Sequence, residues 1–179
     1  VILHAITDGR DVAPKSAADI LTGLVDRLPE RVSIGTVLGR YFAMDRDNRW
    51  DRVEKAYRAM VHGDGETGAS PQDIVANAYA ADKTDEFILP TCVGDYAGMA
   101  DGDGIFMLNY RADRAREILS ALGDPDFDAF DISGRPNLAA RLGMVDYSKA
   151  HDAFMTTLFP KQEIKNTLGE WVAKRGRRQ

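Results

Sequence analysis

Apolar positions along this chain follow two spacings. Short unbroken runs of branched and apolar residues occur at "VILHAIT" (residues 1–7), "VSIGTVL" (32–38), "FILPTCV" (87–93) and "IFMLNY" (105–110), with a fifth at "LAARLGMV" (138–145). Runs of this length read as buried β-strands. Between them the apolar residues recur every three or four positions. Ile20, Leu21, Leu24, Val25 and Leu28 form one such stripe, and Trp50, Val53, Tyr57, Met60 and Val61 form another, each the signature of an amphipathic helix. "SPQDIVANAYAA" predicts a helix with Ser70 as N-cap and Pro71 at the first helical position. Thr167 and Glu170 have capping-box spacing, and Gly176 suits a helix C-terminus. Strands alternating with helices predict a layered α/β/α fold with a largely parallel central sheet, as one domain.

Polar residues bring the chemistry to the ends of three strands. The first is followed by "DGRD" with Arg10 and Asp11, the second by "GRYFAMDRD" with Arg40 and Arg46, and "IFMLNY" by "RADR" with Arg111 and Arg114. Ligands of α/β sheets collect beyond the carboxyl ends of the strands. Parallel strands would therefore gather five arginines at one edge. A guanidinium grips a carboxylate or phosphate through two hydrogen bonds, so the expectation is an oxyanion pocket. The interleaved aspartates can hold the guanidiniums, and one can serve as a base toward a hydroxyl. Taken singly, each loop reads better as solvated arginines paired with neighbouring acids; it is the same chemistry after three strands that favours the pocket.

The net charge of -5 argues against nucleic acid and against an anionic membrane surface as partners. No apolar run nears the roughly 20 residues that span a bilayer. The single cysteine, Cys92, permits no internal disulfide and fits a reducing, cytoplasmic compartment. Residue 1 is Val, and a strand begins there; the chain reads as a piece of a longer protein.

"TDGRD", "GRYFAMDRDNRWDRVEKAY", "DEFILPT", "GDGIFMLNYRADRAREI" and "NTLGEWVAKRG", in that order, resemble the cofactor-independent (2,3-bisphosphoglycerate-independent) phosphoglycerate mutases. The resemblance covers most of the chain and points to the inserted phosphotransferase domain of those enzymes. It implies that Arg10 and Asp11 are the family's substrate-binding pair, that Arg40, Arg46, Arg111 and Arg114 are further substrate arginines, and that Asp11 is a candidate general acid/base. It also implies a phosphoserine intermediate and two Mn2+ ions on a flanking phosphatase-like domain, 2- and 3-phosphoglycerate as substrates, and no 2,3-bisphosphoglycerate. This chain by itself is expected to hold no manganese and to have no mutase activity. The other reading of the same arginines is a stand-alone binding module for a small anionic phosphometabolite.

Several motifs carry less. "GDGETG" (63–68) matches a dinucleotide fingerprint literally, but it follows a helix and contains two acids, so it reads as a loop. "DGDG" (101–104) lacks the later ligands of a calcium loop and reads as a turn. Asp45 and Asp47 stand beside arginines and read as ion-pair partners, not a metal pair. Cys92 in an apolar run reads as buried and inert. His4, His62 and His151 lack metal-ligand spacing. Trp50 and Trp171 are expected to pack on helix faces.

Overall fold

The computed structural model describes residues 1–161 and 164–178. Its axis is β2 (Ser33–Gly39), in which every residue after the first is buried. Strand alternation sends Val37 into one core and Leu38 into another, which is why the run is apolar without interruption. β1 (Ile2–Thr7) pairs parallel with β2, and Thr7 lies opposite Gly39, so the two strands end side by side. On the other flank β4 (Thr91–Val93) is antiparallel to β2, and β3 (Glu66–Gly68) is parallel to β4, giving the order β1-β2-β4-β3.

Helices cover both faces of this sheet. α1 (Ala17–Val25) and α4 (Pro71–Ala80) close one core around Ile34, Val37 and Ile88. The short α2 (Arg40–Ala43), α3 (Trp50–His62) and α5 (Arg116–Gly123) close the other around Leu38. A second, all-parallel sheet of β5 (Gly104–Met107), β6 (Ala140–Val145) and β7 (Thr156–Phe159) packs on the far side of α5. α5 serves both layers: Ile118 and Leu122 face α3, while Ala115 and Leu119 join Tyr147 and Met155. The layered α/β class is as the sequence predicts. The parallel strands, however, are divided between two sheets that share a helix.

Local signals translate directly. Ser70 Oγ accepts the Asp73 amide at 3.1 Å, with Pro71 at the first helical position. Thr167 Oγ1 caps α6 (Leu168–Lys174) through the Glu170 amide at 3.3 Å, and Gly176 is left-handed at φ 65°. Val53, Tyr57, Met60 and Val61 of the α3 stripe are buried, and Trp50 meets Phe127 with ring centroids 5.4 Å apart.

Other expectations change. Of "FILPTCV" only residues 91–93 pair, because Pro90 has no N–H to give a ladder and residues 85–87 form a 3₁₀ turn. "IFMLNY" leaves its sheet after Met107, and the Tyr147 hydroxyl donates to the carbonyls of Met107 and Asn109. "GDGETG" is a loop only at its start: Gly63 ends α3 at φ 64°, and Glu66–Gly68 is β3. The α1 stripe is half used, since Leu21 is buried while Ile20 is 58% exposed. Trp171 is half exposed, stacked under Arg175 at 3.5 Å.

One buried carboxylate anchors the loop after β1. Asp85 Oδ2 accepts the Ser16 and Ala17 amides at 2.8 and 2.9 Å, serving as a remote cap for α1, while Oδ1 accepts the Tyr79 hydroxyl. Its backbone oxygen takes the Thr7 hydroxyl at 2.7 Å, and its amide donates to Pro14 at 2.9 Å. Gly9 packs so closely here that a Cβ would lie 2.8 Å from Asp85 Cβ, and its φ of +66° suits glycine. Burial, reinforced by the bond to Asp85, pushes the Tyr79 pKa up to about 12. Removing the carboxylate by Asp85→Ala leaves several buried donors unpaired and should cost about 3 kcal/mol of stability by denaturant titration. A cost below about 0.5 kcal/mol would show that the loop is held by other contacts.

Candidate functional site

Because β1 and β2 end together, the loops that follow them are neighbours. Asp8 opens the first loop as a turn: its Oδ1 accepts the amides of Arg10 and Asp11 at 3.0 and 3.1 Å. Arg40, the first residue after β2, has a side chain only 4% exposed, and its Nη1 donates to Asp8 and, at 3.0 Å, to Asp11 Oδ2. Gly39 brings it there, for a Cβ at that position would lie 2.1 Å from the Glu86 carbonyl oxygen. Burial alone would lower the Arg40 pKa, but the bonds to Asp8 and Asp11 outweigh it and the net shift is upward. Burial likewise opposes Asp8 ionisation, yet its bonds from the Asp11 amide, Arg40 and the Arg10 amide bring its pKa below the usual value.

The third loop arrives from the second sheet. Arg111 Nη1 donates to Asp11 Oδ2 at 3.3 Å, on the same oxygen that Arg40 holds. Asp113 accepts Arg46 Nη1 at 3.0 Å and lies 3.8 Å from Arg111 Nε. A slight burial effect on Asp113 is overcome by the Arg46 bond and the Arg111 charge, so its pKa is lowered. Arg10 turns aside to Glu86 at 3.3 Å. The expected meeting of three loops is thus observed, although parallel strands in one sheet account for only two of them.

Arg114 differs from the other four arginines. Its Nη1 donates to the Met44 carbonyl at 3.0 Å, and among the described residues it has no carboxylate partner. Its Nε is buried and unpaired, as is that of Arg40. Burial, then the charges of Arg40, Arg46 and Arg10, lower its pKa, with Asp113 offsetting only part. This is a cation short of an anion. The face is open, with Arg10 and Arg111 side chains each 61% exposed. A cavity of about 630 Å³ beside Gly123, Arg141 and Phe154 contains none of these arginines.

Behind the arginines stands a feature the sequence reading missed. Asp45 Oδ2 accepts the amides of Asp47 and Arg49, both at 2.9 Å, and Oδ1 faces Arg52 at 3.3 Å. Its cationic partner is therefore Arg52, which also stacks on Tyr41 at 3.8 Å, and not the adjacent Arg46. Glu117, on the first turn of α5, accepts the Asn48 amide at 3.0 Å. Glu86 was missed too, although it stands in the "DEFILPT" segment.

The remaining motifs are structural. Cys92 is buried, with Sγ 3.7 Å from the Ala59 carbonyl, and burial raises its pKa. Burial lowers the His4 pKa to about 4, and its Nδ1 meets Thr36 Oγ1 at 2.9 Å. His62 stacks edge-on against Tyr57, and His151 sits between Ser148 and the Arg116 carbonyl. Asp101 and Asp103 bond the amides of Asn137 and Ala100 in a turn. Among the described residues no group of three or more His, Cys, Asp or Glu side chains could hold a metal ion. No helix among the described residues is long and apolar enough to cross a membrane.

The chain is similar to known proteins in fold and in sequence. A phosphoglycerate mutase from Leishmania mexicana, solved at low cobalt concentration, superposes with a TM-score of 0.83 at 29% identity, covering 98% of this chain and 34% of that one. The 2,3-bisphosphoglycerate-independent phosphoglycerate mutase of Dinoroseobacter shibae is 65% identical over all 179 residues. That of Agrobacterium fabrum is 61% identical over 176 residues. The chain spans about 35% of the length of these curated relatives. The family described as BPG-independent PGAM N-terminus (iPGM_N) matches residues 1–149, and to that family the chain belongs.

Proposed function

We propose that this chain is the substrate-holding phosphotransferase domain of an enzyme interconverting 3-phosphoglycerate and 2-phosphoglycerate without 2,3-bisphosphoglycerate. The observation that carries the reading is Arg114: a partly buried guanidinium without a carboxylate, surrounded by the charges of Arg40, Arg46 and Arg10. A small substrate with a carboxylate and a phosphate supplies what it lacks. Arg10, Arg46, Arg111 and Arg114 bind those oxyanions, and Arg40 holds Asp8 and Asp11 beneath them. Exposed ion pairs such as Arg46–Asp113 are worth only about 0–1 kcal/mol each, so substrate oxygens can replace the aspartates at little cost.

Asp11, whose Oδ2 accepts Arg40 and Arg111, acts in this reading as general acid/base toward the two glycerate hydroxyls. The phosphoryl group leaves one glycerate oxygen for a serine outside this chain and returns to the other oxygen. The arginines offset charge on the moving group. The serine and two manganese ions belong to a flanking phosphatase-like domain of the same protein, in a cytoplasmic glycolytic and gluconeogenic setting. Read this way, residues 1–179 have no mutase turnover of their own.

Two measurements test this. Titrating the isolated chain with 3-phosphoglycerate, against chloride at matched ionic strength, should give saturable NMR shifts confined to the loops around Asp11, Arg46 and Arg114. Shifts spread along the whole surface, or none, would count against the assignment. In the full-length protein, Arg114→Ala should lower kcat/KM by about 10²–10³-fold with little change in folding stability. Near-normal turnover would remove Arg114 from the site.

A further inference from the structure

Two buried carboxyl groups face each other behind the arginines, and neither is used by the chemistry above. Asp45 is 5% exposed and Glu117 is 9% exposed. They approach from different layers: Asp45 opens the loop that carries Arg46, and Glu117 stands on α5 directly after the loop that carries Arg111 and Arg114. Every donor in reach of Asp45 favours its charged form, namely the amides of Asp47 and Arg49 and the guanidinium of Arg52 on α3. Glu117 has one amide, that of Asn48, on Oε1. Its Oε2 is buried with no partner among the described residues, and, after burial, the Asp45 carboxyl and its charge are among the causes that raise the Glu117 pKa. A buried carboxylate oxygen that no donor reaches, set against a second carboxylate, favours the protonated form.

We propose that Glu117 and Asp45 share a single proton, and that Glu117 is thereby the positioning residue that holds Arg46 in the anion-binding face. The proton resides on Glu117 Oε2 and is donated to Asp45, which keeps its grip on the amides on both sides of Asn48. The same carboxyl fixes Asn48 itself, which lies in the left-handed region at φ 57°. Loop 45–49 is therefore clamped between its own aspartate and α5, and Arg46 projects from inside the clamp to Asp113. Loss of the proton sets two buried carboxylates side by side, with Asp47 as a third negative neighbour and Arg52 paired to Asp45. The clamp then opens, and Arg46 loses its fixed relation to Arg111 and Arg114.

The direction of the pH effect follows. Burial, with the Asp45 bond and the Asp45 and Asp47 charges, pushes the Glu117 pKa up to about 7 from an ordinary 4.5. Between those values the native chain holds a proton that the unfolded chain has released. Stability from this group therefore falls as pH rises through that window and is level above it. Glu117→Gln keeps the shape, donates permanently to Asp45 through its amide, and removes the titration.

The test begins without any ligand, on the chain carrying ¹³C-labelled Glu carboxyls, from pH 5 to 9. One carboxyl should titrate near pH 7, and the amides of Asp47, Asn48 and Arg49 should shift with the same midpoint. In Glu117→Gln both changes should vanish, with the amides fixed at their low-pH positions. A Glu117 titrating near 4.5, or amides that ignore its titration, would overturn the proposal.

The consequence for binding rests on the function proposed above and is read separately, with 3-phosphoglycerate as probe. At pH 8 about one chain in eleven keeps the proton, so the wild type should bind roughly tenfold more weakly than Glu117→Gln, with equal affinities at pH 5.5. Equal affinities at both pH values would overturn the link to Arg46. If neither protein binds at any pH while the carboxyl still titrates near 7, the substrate reading fails and the shared proton stands.

Discussion

The buried guanidinium of Arg40 is the constraint on which the site depends. A cation with its side chain 4% exposed persists only if carboxylates accompany it, and both come from the loop after the neighbouring strand. Thr7 opposite Gly39 makes this possible by ending β1 and β2 at the same level. Arg40 thereby fixes Asp11, and Asp11 offers the oxygen on which Arg111 of the other sheet also lands. From there the ion pairs run through Asp113 to Arg46 and return to the loop after β2. The two sheets are joined at this edge by charge, as they are joined beneath it by the apolar faces of α5.

The contacts fall into two tiers that serve different ends. Arg40, Asp85 and the Asp45–Glu117 pair are buried and hold the loops in place; removing one partner strands the others without solvent. Arg10, Arg46 and Arg111 are exposed, and their pairs with Glu86, Asp113 and Asp11 are exchangeable. Arg114 belongs to neither tier. It is partly buried and, among the described residues, has no carboxylate partner.

Elements held by local physics were readable in the chain. Ser70 before Pro71, Thr167 before Glu170 and the apolar stripe of α3 report on residues three or four positions away, and such distances are fixed by the helix itself. The arginine motifs were readable because each sits in one short loop. β3 and β7 were not, since three or four polar-rich residues have no periodicity and pair only because another strand presents its edge. The stripe of α1 predicted more burial than Ile20 obtains, because a pattern states which side is apolar and not whether anything covers it. Nothing within a few residues of Glu117 marks it; only its burial beside Asp45, a residue 72 positions earlier, sets it apart.

The sequence by itself determined the layered α/β class, the helices α1, α3, α4 and α6 with the caps Ser70 and Thr167, and the loops in which the five arginines and Asp11 stand. It did so because propensity, periodicity and turn chemistry act over a few residues. Tertiary structure alone decided that the strands divide into two sheets, that Arg40 rather than any other arginine is the buried one, that Arg10 pairs with Glu86, and that Arg114 is left without an acid. Each of these depends on which groups lose their water and which partners lie within about 4 Å once distant segments meet. Burial and charge pairing are properties of the folded assembly, and no spacing along the chain encodes them.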